Sequence, residues 1–159
     1  MEQEAFRKAL AESELVLVGI GEEWEKSPEG AEGYACLEKL LAGKNYFIVT
    51  TAADGKIRES GLPVDRIAEA GAAGEDGASA WDTYMKWLQG TLNKRLLILE
   101  LGVGFRMPDA VRWPFERIAY LNRQAKLFRV HGKLPQLPEN LEGKGVSIRE
   151  NSIKWLKSF

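Results

Sequence analysis

The chain has almost none of the residues that build metal or disulfide chemistry: one cysteine, Cys36, and one histidine, His131, in 159 residues. One cysteine excludes a disulfide framework and a thiolate zinc cluster within the chain, and one histidine excludes a multi-histidine metal site. Charge of one sign is lacking too. The 22 Lys and Arg against 23 Asp and Glu leave a net −1, so no nucleic-acid partner is expected. No apolar run approaches the ~20 residues needed to span a bilayer, so no membrane partner is expected either. The opening MEQEAFRKALAESE has acidic residues and no apolar core, so a secretory leader is not expected and the cytoplasm is the expected compartment.

The composition is ordinary for a globular protein, with 45% apolar and 28% charged residues. The length suits one domain over 1–159 with a continuous core. The charge is unevenly spread. Residues 1–80 hold 8 basic and 16 acidic residues, net −8, whereas 81–159 hold 14 and 7, net +7. A basic half suits an anionic cofactor, and two halves packing on each other explain it equally.

Four short apolar runs read as strands: Glu14–Val18, Tyr46–Thr50, Leu96–Leu101 and Lys126–Val130. They are continuous rather than alternating, as expected of a parallel sheet covered on both faces. Helical periodicity lies between them. Glu2–Ala11 carries Phe6 and Leu10, and Ala31–Leu41 carries Tyr34, Leu37, Leu40 and Leu41. Trp81, Tyr84, Met85 and Leu88 follow i, i+3, i+4, i+7. A further helix is expected from Pro108, with Val111, Phe115 and Ile118, and a terminal one over Ser152–Leu156. The alternation predicts an α/β fold, a Rossmann-like doubly wound parallel sheet with flanking helices. Ala68–Ala80 (AEAGAAGEDGASA) holds only alanine, glycine, serine and acidic residues. It is expected to be a bland flexible loop, natural or engineered, replacing a sub-structure.

Ligands of such sheets bind beyond the carboxyl ends of the strands. The segments there are Gly19-Ile20-Gly21-Glu22, Thr51 through Gly55, Gly102-Val103-Gly104-Phe105-Arg106 and His131-Gly132. Two are glycine-spaced. They read either as a cradle that brings backbone N–H groups close to a phosphate or as tight turns. The third glycine of a dinucleotide fingerprint is absent, since position 24 is Trp.

LVLVGIG (Leu15–Gly21), FIVTTAAD (Phe47–Asp54), and LILELGVGF (Leu97–Phe105) continuing to RWPFE resemble the sirtuins, NAD-dependent deacylases and ADP-ribosyltransferases. The likeness is nearest to bacterial sirtuin-like proteins, including those encoded beside macrodomains, and covers roughly residues 13–155. It implies an NAD or ADP-ribose site with Gly19, Ile20, Gly21, Glu22, Gly102, Val103, Gly104 and Phe105 among its cofactor-binding residues, the glycines Gly19, Gly21, Gly102 and Gly104 cradling phosphate. Thr51 and His131 would then contact ribose and Asp54 the nicotinamide amide. Asp54 and His131 are the candidate catalytic residues, and a protein substrate is a possible further partner.

The departures bear on activity. Ala70-Gly71 stands where the family has the His-Gly of its catalytic base, and Ala52 replaces the Asn of the nicotinamide pocket. The family's zinc cysteines are missing from 72–80, so no zinc is expected and the zinc lobe is reduced to a loop. Glu22–Glu32 has no counterpart of the family's arginine-bearing segment. Deacetylation needs that histidine to activate a ribose hydroxyl and is not expected. Two readings follow. One is an NAD- or ADP-ribose-binding protein, transferring ADP-ribose or cleaving NAD if it is an enzyme. The other is a non-catalytic interaction module with a vestigial crevice.

Single residues keep two readings each. Asp54 precedes Gly55 and suits a turn by itself. Glu22 and Glu23 either serve ribose or acid–base chemistry, or form an acidic first turn favoured by the helix dipole. His131 is a ligand contact or a satisfied structural histidine. Thr50 and Thr51 donate to a ligand or cap the following turn. Arg106 and Arg112 pair a phosphate or lie in solvent, Arg112 alternatively stacking on Trp113. Cys36 suits a buried thiol, and Trp87, off its helix's main stripe, suits a partner surface.

Overall fold

The computed structural model describes residues 2–72 and 74–159. In chain order the elements are α1 (Glu2–Glu12), β1 (Leu15–Ile20), α2 (Gly30–Leu41), β2 (Asn45–Thr50), β3 (Ile67–Glu69), α3 (Gly74–Gln89), β4 (Leu96–Leu101), α4 (Arg112–Leu121), β5 (Lys126–Val130), β6 (Gly145–Ile148) and α5 (Ser152–Lys157). The six strands form one sheet in the order β3-β2-β1-β4-β5-β6, and every pairing is parallel. This is the expected α/β architecture with a Rossmann-like sheet. Every residue of β1 and β4 is buried, which is why their runs are apolar but for Glu100, which pairs with Arg129.

Two cores sandwich the sheet. Val16, Val18 and Ile20 of β1 point to the face covered by α1, α2 and α5, where Phe6, Trp24, Leu37 and Trp155 pack. Leu15 and Leu17 point to the other, against Tyr84 of α3 and Val111, Phe115 and Ala119 of α4. The chain leaves β1 by a helix on one face and β4 by a helix on the other. The crevice between their carboxyl ends is therefore the switch point at which such sheets admit ligands.

Three expectations need correction. Residues 68–80 are not one flexible loop, because Ala68 and Glu69 belong to β3 and Gly74–Ala80 open α3. Alanine favours helix, and Glu75 and Asp76 complement the dipole of its first turn. The small residues have a packing reason too, since a side chain on Gly77 would run into the Ala72 carbonyl. Secondly, the helix expected from Pro108 starts at Arg112. Proline lacks an N–H and is accommodated in the first turn, where Pro114 lies. Thirdly, Trp87 is no partner surface: its ring packs 5.8 Å from that of Phe47 and its Nε1 donates to Asn45 Oδ1 at 2.9 Å. Cys36 is half-buried against the first core. Among the described residues no helix is long and apolar enough to cross a membrane.

Candidate functional site at the switch point

The turns after β1 and β4 meet with almost no space between them. Gly21 has an extended backbone, φ −121°, and a Cβ there would lie 2.5 Å from the Gly102 carbonyl oxygen. Gly102 adopts φ +68°, where other residues are strained, and a side chain on it would strike Glu23. These two glycines let strand ends approach. Gly19 does something else. It lies inside β1, and a Cβ would come 2.7 Å from Val111 Cγ1 and 2.8 Å from Phe115 Cε2, so its bareness seats α4 on the sheet. Ile20 and Val103 are buried in the two cores.

Beyond these turns opens a cavity of about 490 Å³. Four of the sequence-predicted residues line it: Glu22, Gly104, Phe105 and His131. Glu23, Gly132, Lys133, Leu134 and Asn151 complete the wall. Asn151, Lys133 and Leu134 were not legible as site residues. Asn151 announces itself only as a helix cap, its side chain accepting from the N–H groups of Ile153 and Lys154, both at 3.1 Å.

The two glutamates bind the protein's own backbone. Glu22 Oε1 accepts from Gly104 N at 2.6 Å and Oε2 from Arg106 N at 3.1 Å. Glu23 Oε2 accepts from Gly132 N at 2.9 Å, and its Oε1 takes the backbone N–H and hydroxyl of Ser152 at 2.8 and 2.6 Å. Ser152 Oγ in turn accepts from Nε1 of buried Trp24 at 3.0 Å. Trp24, standing where a third glycine would be, thus anchors Glu23 to α5. Amide donors at the turns after β4 and β5 are engaged by carboxylates from the turn after β1.

His131 has a defined tautomer. Its Nδ1 accepts from the N–H groups of Lys133 and Leu134, both at 3.0 Å. The proton is therefore on Nε2. Burial holds its pKa below the usual value, outweighing the Glu23 carboxylate 3.6 Å away, so the ring is neutral. Nε2 has no hydrogen-bond partner among the described residues, although His131 is only 8% exposed. No wholly buried side-chain nitrogen or oxygen there lacks a partner, which leaves Nε2–H facing the cavity.

Beneath the cavity lies an ionic cluster. Arg129 Nε and Nη2 donate to the two oxygens of Glu100 at 2.9 and 2.8 Å, and Nη1 donates to Glu116 at 2.7 Å. Burial alone would lower the Arg129 pKa, but Glu100 and Glu116 overcome it and raise it. Arg112 is buried, not solvated, and burial lowers its pKa. It donates to the Val103 and Gln136 carbonyls at 2.9 and 3.1 Å and lies 4.3 Å from the centroid of Phe105. It stacks on that ring, not on Trp113. Arg112 thus supports one lining residue, Phe105, which is left 54% exposed above it.

The turn after β2 does not line the cavity but is tied to its neighbours. Arg106 pairs with Glu25 through contacts of 2.5 and 2.8 Å and donates to the Thr51 carbonyl at 2.5 Å. That pairing holds the Glu25 carboxyl below its usual pKa. Thr51 is buried and Asp54 exposed, and neither lines the cavity. Asp54 Oδ1 accepts from Lys56 N at 3.3 Å, a turn contact, as the Thr50 hydroxyl does from Ala52 N at 3.1 Å. No family model matches this chain, and no curated protein matches it.

Proposed function

We propose that the chain is a non-deacylating binding module whose switch-point cavity takes a riboside group, free or as the end of an adenine nucleotide of the NAD or ADP-ribose kind. The observation that carries this reading is that Phe105, His131 with its Nε2–H unpartnered among the described residues, Glu22 and Glu23 line one cavity. A ribose hydroxyl both donates and accepts. It complements a fixed N–H donor beside carboxylates with spare lone pairs, and a base plane complements an exposed aromatic face.

The remainder of an NAD molecule does not fit these residues as they stand. The amides of Gly104 and Arg106 are held by Glu22, and the Arg106–Glu25 pair ties the turns after β1, β4 and β2 together. Asp54 lies outside the cavity, so ADP-ribose transfer with Asp54 orienting nicotinamide gains no support, and no catalytic step is derived. Alanine at position 70 leaves no base where the sirtuin resemblance would put one.

The occupied amides favour a second reading, an interaction module with a vestigial crevice. Thermal unfolding with adenosine, ADP-ribose, NAD and nicotinamide separates the two. A ligand at ~100 times its Kd adds about 2.7 kcal/mol, or about 5–11 °C for a chain of this size. A shift with adenosine or ADP-ribose supports the riboside site. No shift with any of the four at millimolar concentration overturns it in favour of the interaction module.

A further inference from the structure

We propose that Glu22 is the built-in occupant of an anion site and makes this crevice exclude phosphates, so that its ligand is an unphosphorylated riboside rather than a nucleotide. The choice of a riboside rests on the function proposed above. The occupancy of the anion site rests on geometry alone.

The amides of Gly104 and Arg106 alternate along one turn and converge on the two oxygens of a single carboxylate. Backbone N–H groups that converge on one concavity are the kind of donors that bind phosphate oxygens. Gly104 leaves room for that approach, since a Cβ there would already lie 3.2 Å from Glu22 Oε1. Gly104 and Glu22 line the same cavity as His131. A phosphate placed there would lose both amide donors to Glu22 and meet its charge at close range. The nearest guanidinium gives no relief, because Arg106 is turned to Glu25 and the Thr51 carbonyl. An uncharged riboside avoids the repulsion and still meets Phe105, His131 and the free lone pairs of the glutamates.

The test measures Kd by calorimetry for adenosine, ADP and inorganic pyrophosphate on the unaltered chain, Glu22→Ala and Glu22→Gln. Adenosine is expected to bind the unaltered chain at least tenfold tighter than ADP. Glu22→Ala should bind ADP and pyrophosphate at least tenfold tighter than the unaltered chain does, with a gain that shrinks as salt is added. Glu22→Gln removes the charge but keeps a carbonyl that accepts from Gly104, so it holds the turn together if the alanine variant unfolds. It should show a smaller gain in the same direction.

Equal pyrophosphate binding by the unaltered chain and the variants overturns the proposal, as does ADP binding the unaltered chain as tightly as adenosine. If adenosine fails to bind the unaltered chain while the variants gain pyrophosphate, the riboside reading fails and the anion-site assignment stands.

Discussion

Replacing Arg129 by methionine would strand a carboxylate in the interior. Glu100 has no exposed surface and takes both of its charge-assisted hydrogen bonds from Arg129. Arg129 is itself 1% exposed. Removing one partner of a buried ion pair costs about 3–5 kcal/mol, either as an uncompensated charge or as the protonation of Glu100, whose pKa burial already raises and Arg129 holds down. Native stability for a domain is about 5–15 kcal/mol in total, so Arg129→Met should lower Tm by about 6–20 °C. The reasoning predicts recovery as well. Arg129→Met combined with Glu100→Leu removes both charges and should return at least about 2 kcal/mol, because an apolar replacement of a buried pair is often near neutral. Urea unfolding of the two single variants and the double variant closes a cycle, with an expected coupling of about 2–3 kcal/mol. Single variants costing less than about 1 kcal/mol, or strictly additive effects, would refute the account. The double variant should still bind the riboside more weakly, because Arg129 also donates to the carbonyl of Arg112, the residue that stacks on Phe105 of the cavity wall.

Three further outcomes follow from packing, capping and titration. Gly19→Ala pushes a methyl group against Val111 and Phe115 and should cost about 1–3 kcal/mol by overpacking, read by urea midpoint. Asn151→Ala leaves the N–H groups of Ile153 and Lys154 without their cap and should cost about 1 kcal/mol; an unchanged midpoint would dismiss the capping role. His131 is held neutral with a lowered pKa, so the unfolded chain takes up a proton first as pH falls. Its contribution is complete above the unfolded value of about 6.5 and is lost as pH drops towards the lower folded value. Urea unfolding of His131→Gln between about pH 7.5 and 5 should then show a shallower loss of stability than the unaltered chain.

Elements that bury both faces announce themselves by composition. β1, β2, β4 and β5 were legible because their cores are continuous apolar runs, and the helical stripes because Phe6, Leu37 and Tyr84 recur at helical spacing. β3 and β6 were not. They are edge strands of three and four residues, too short to carry a period, and they exist because a neighbouring strand offers a ladder. The amino-terminal part of α3 was hidden for a related reason: its small residues answer to the Ala72 carbonyl, a contact no local pattern displays.

Composition and periodicity alone specify the layered α/β class and the turns at which a ligand could be met. What those turns do depends on contacts between residues far apart in the chain. Gly19, alike in sequence to Gly21, seats a helix, while Gly21 seats a neighbouring turn. Glu22 and Glu23 bind amides 82 and 109 residues away. Such pairings follow from β4 lying beside β1 and β5 beside β4, and strand order is fixed by the summed burial of the whole sheet rather than by any residue's neighbours in the chain.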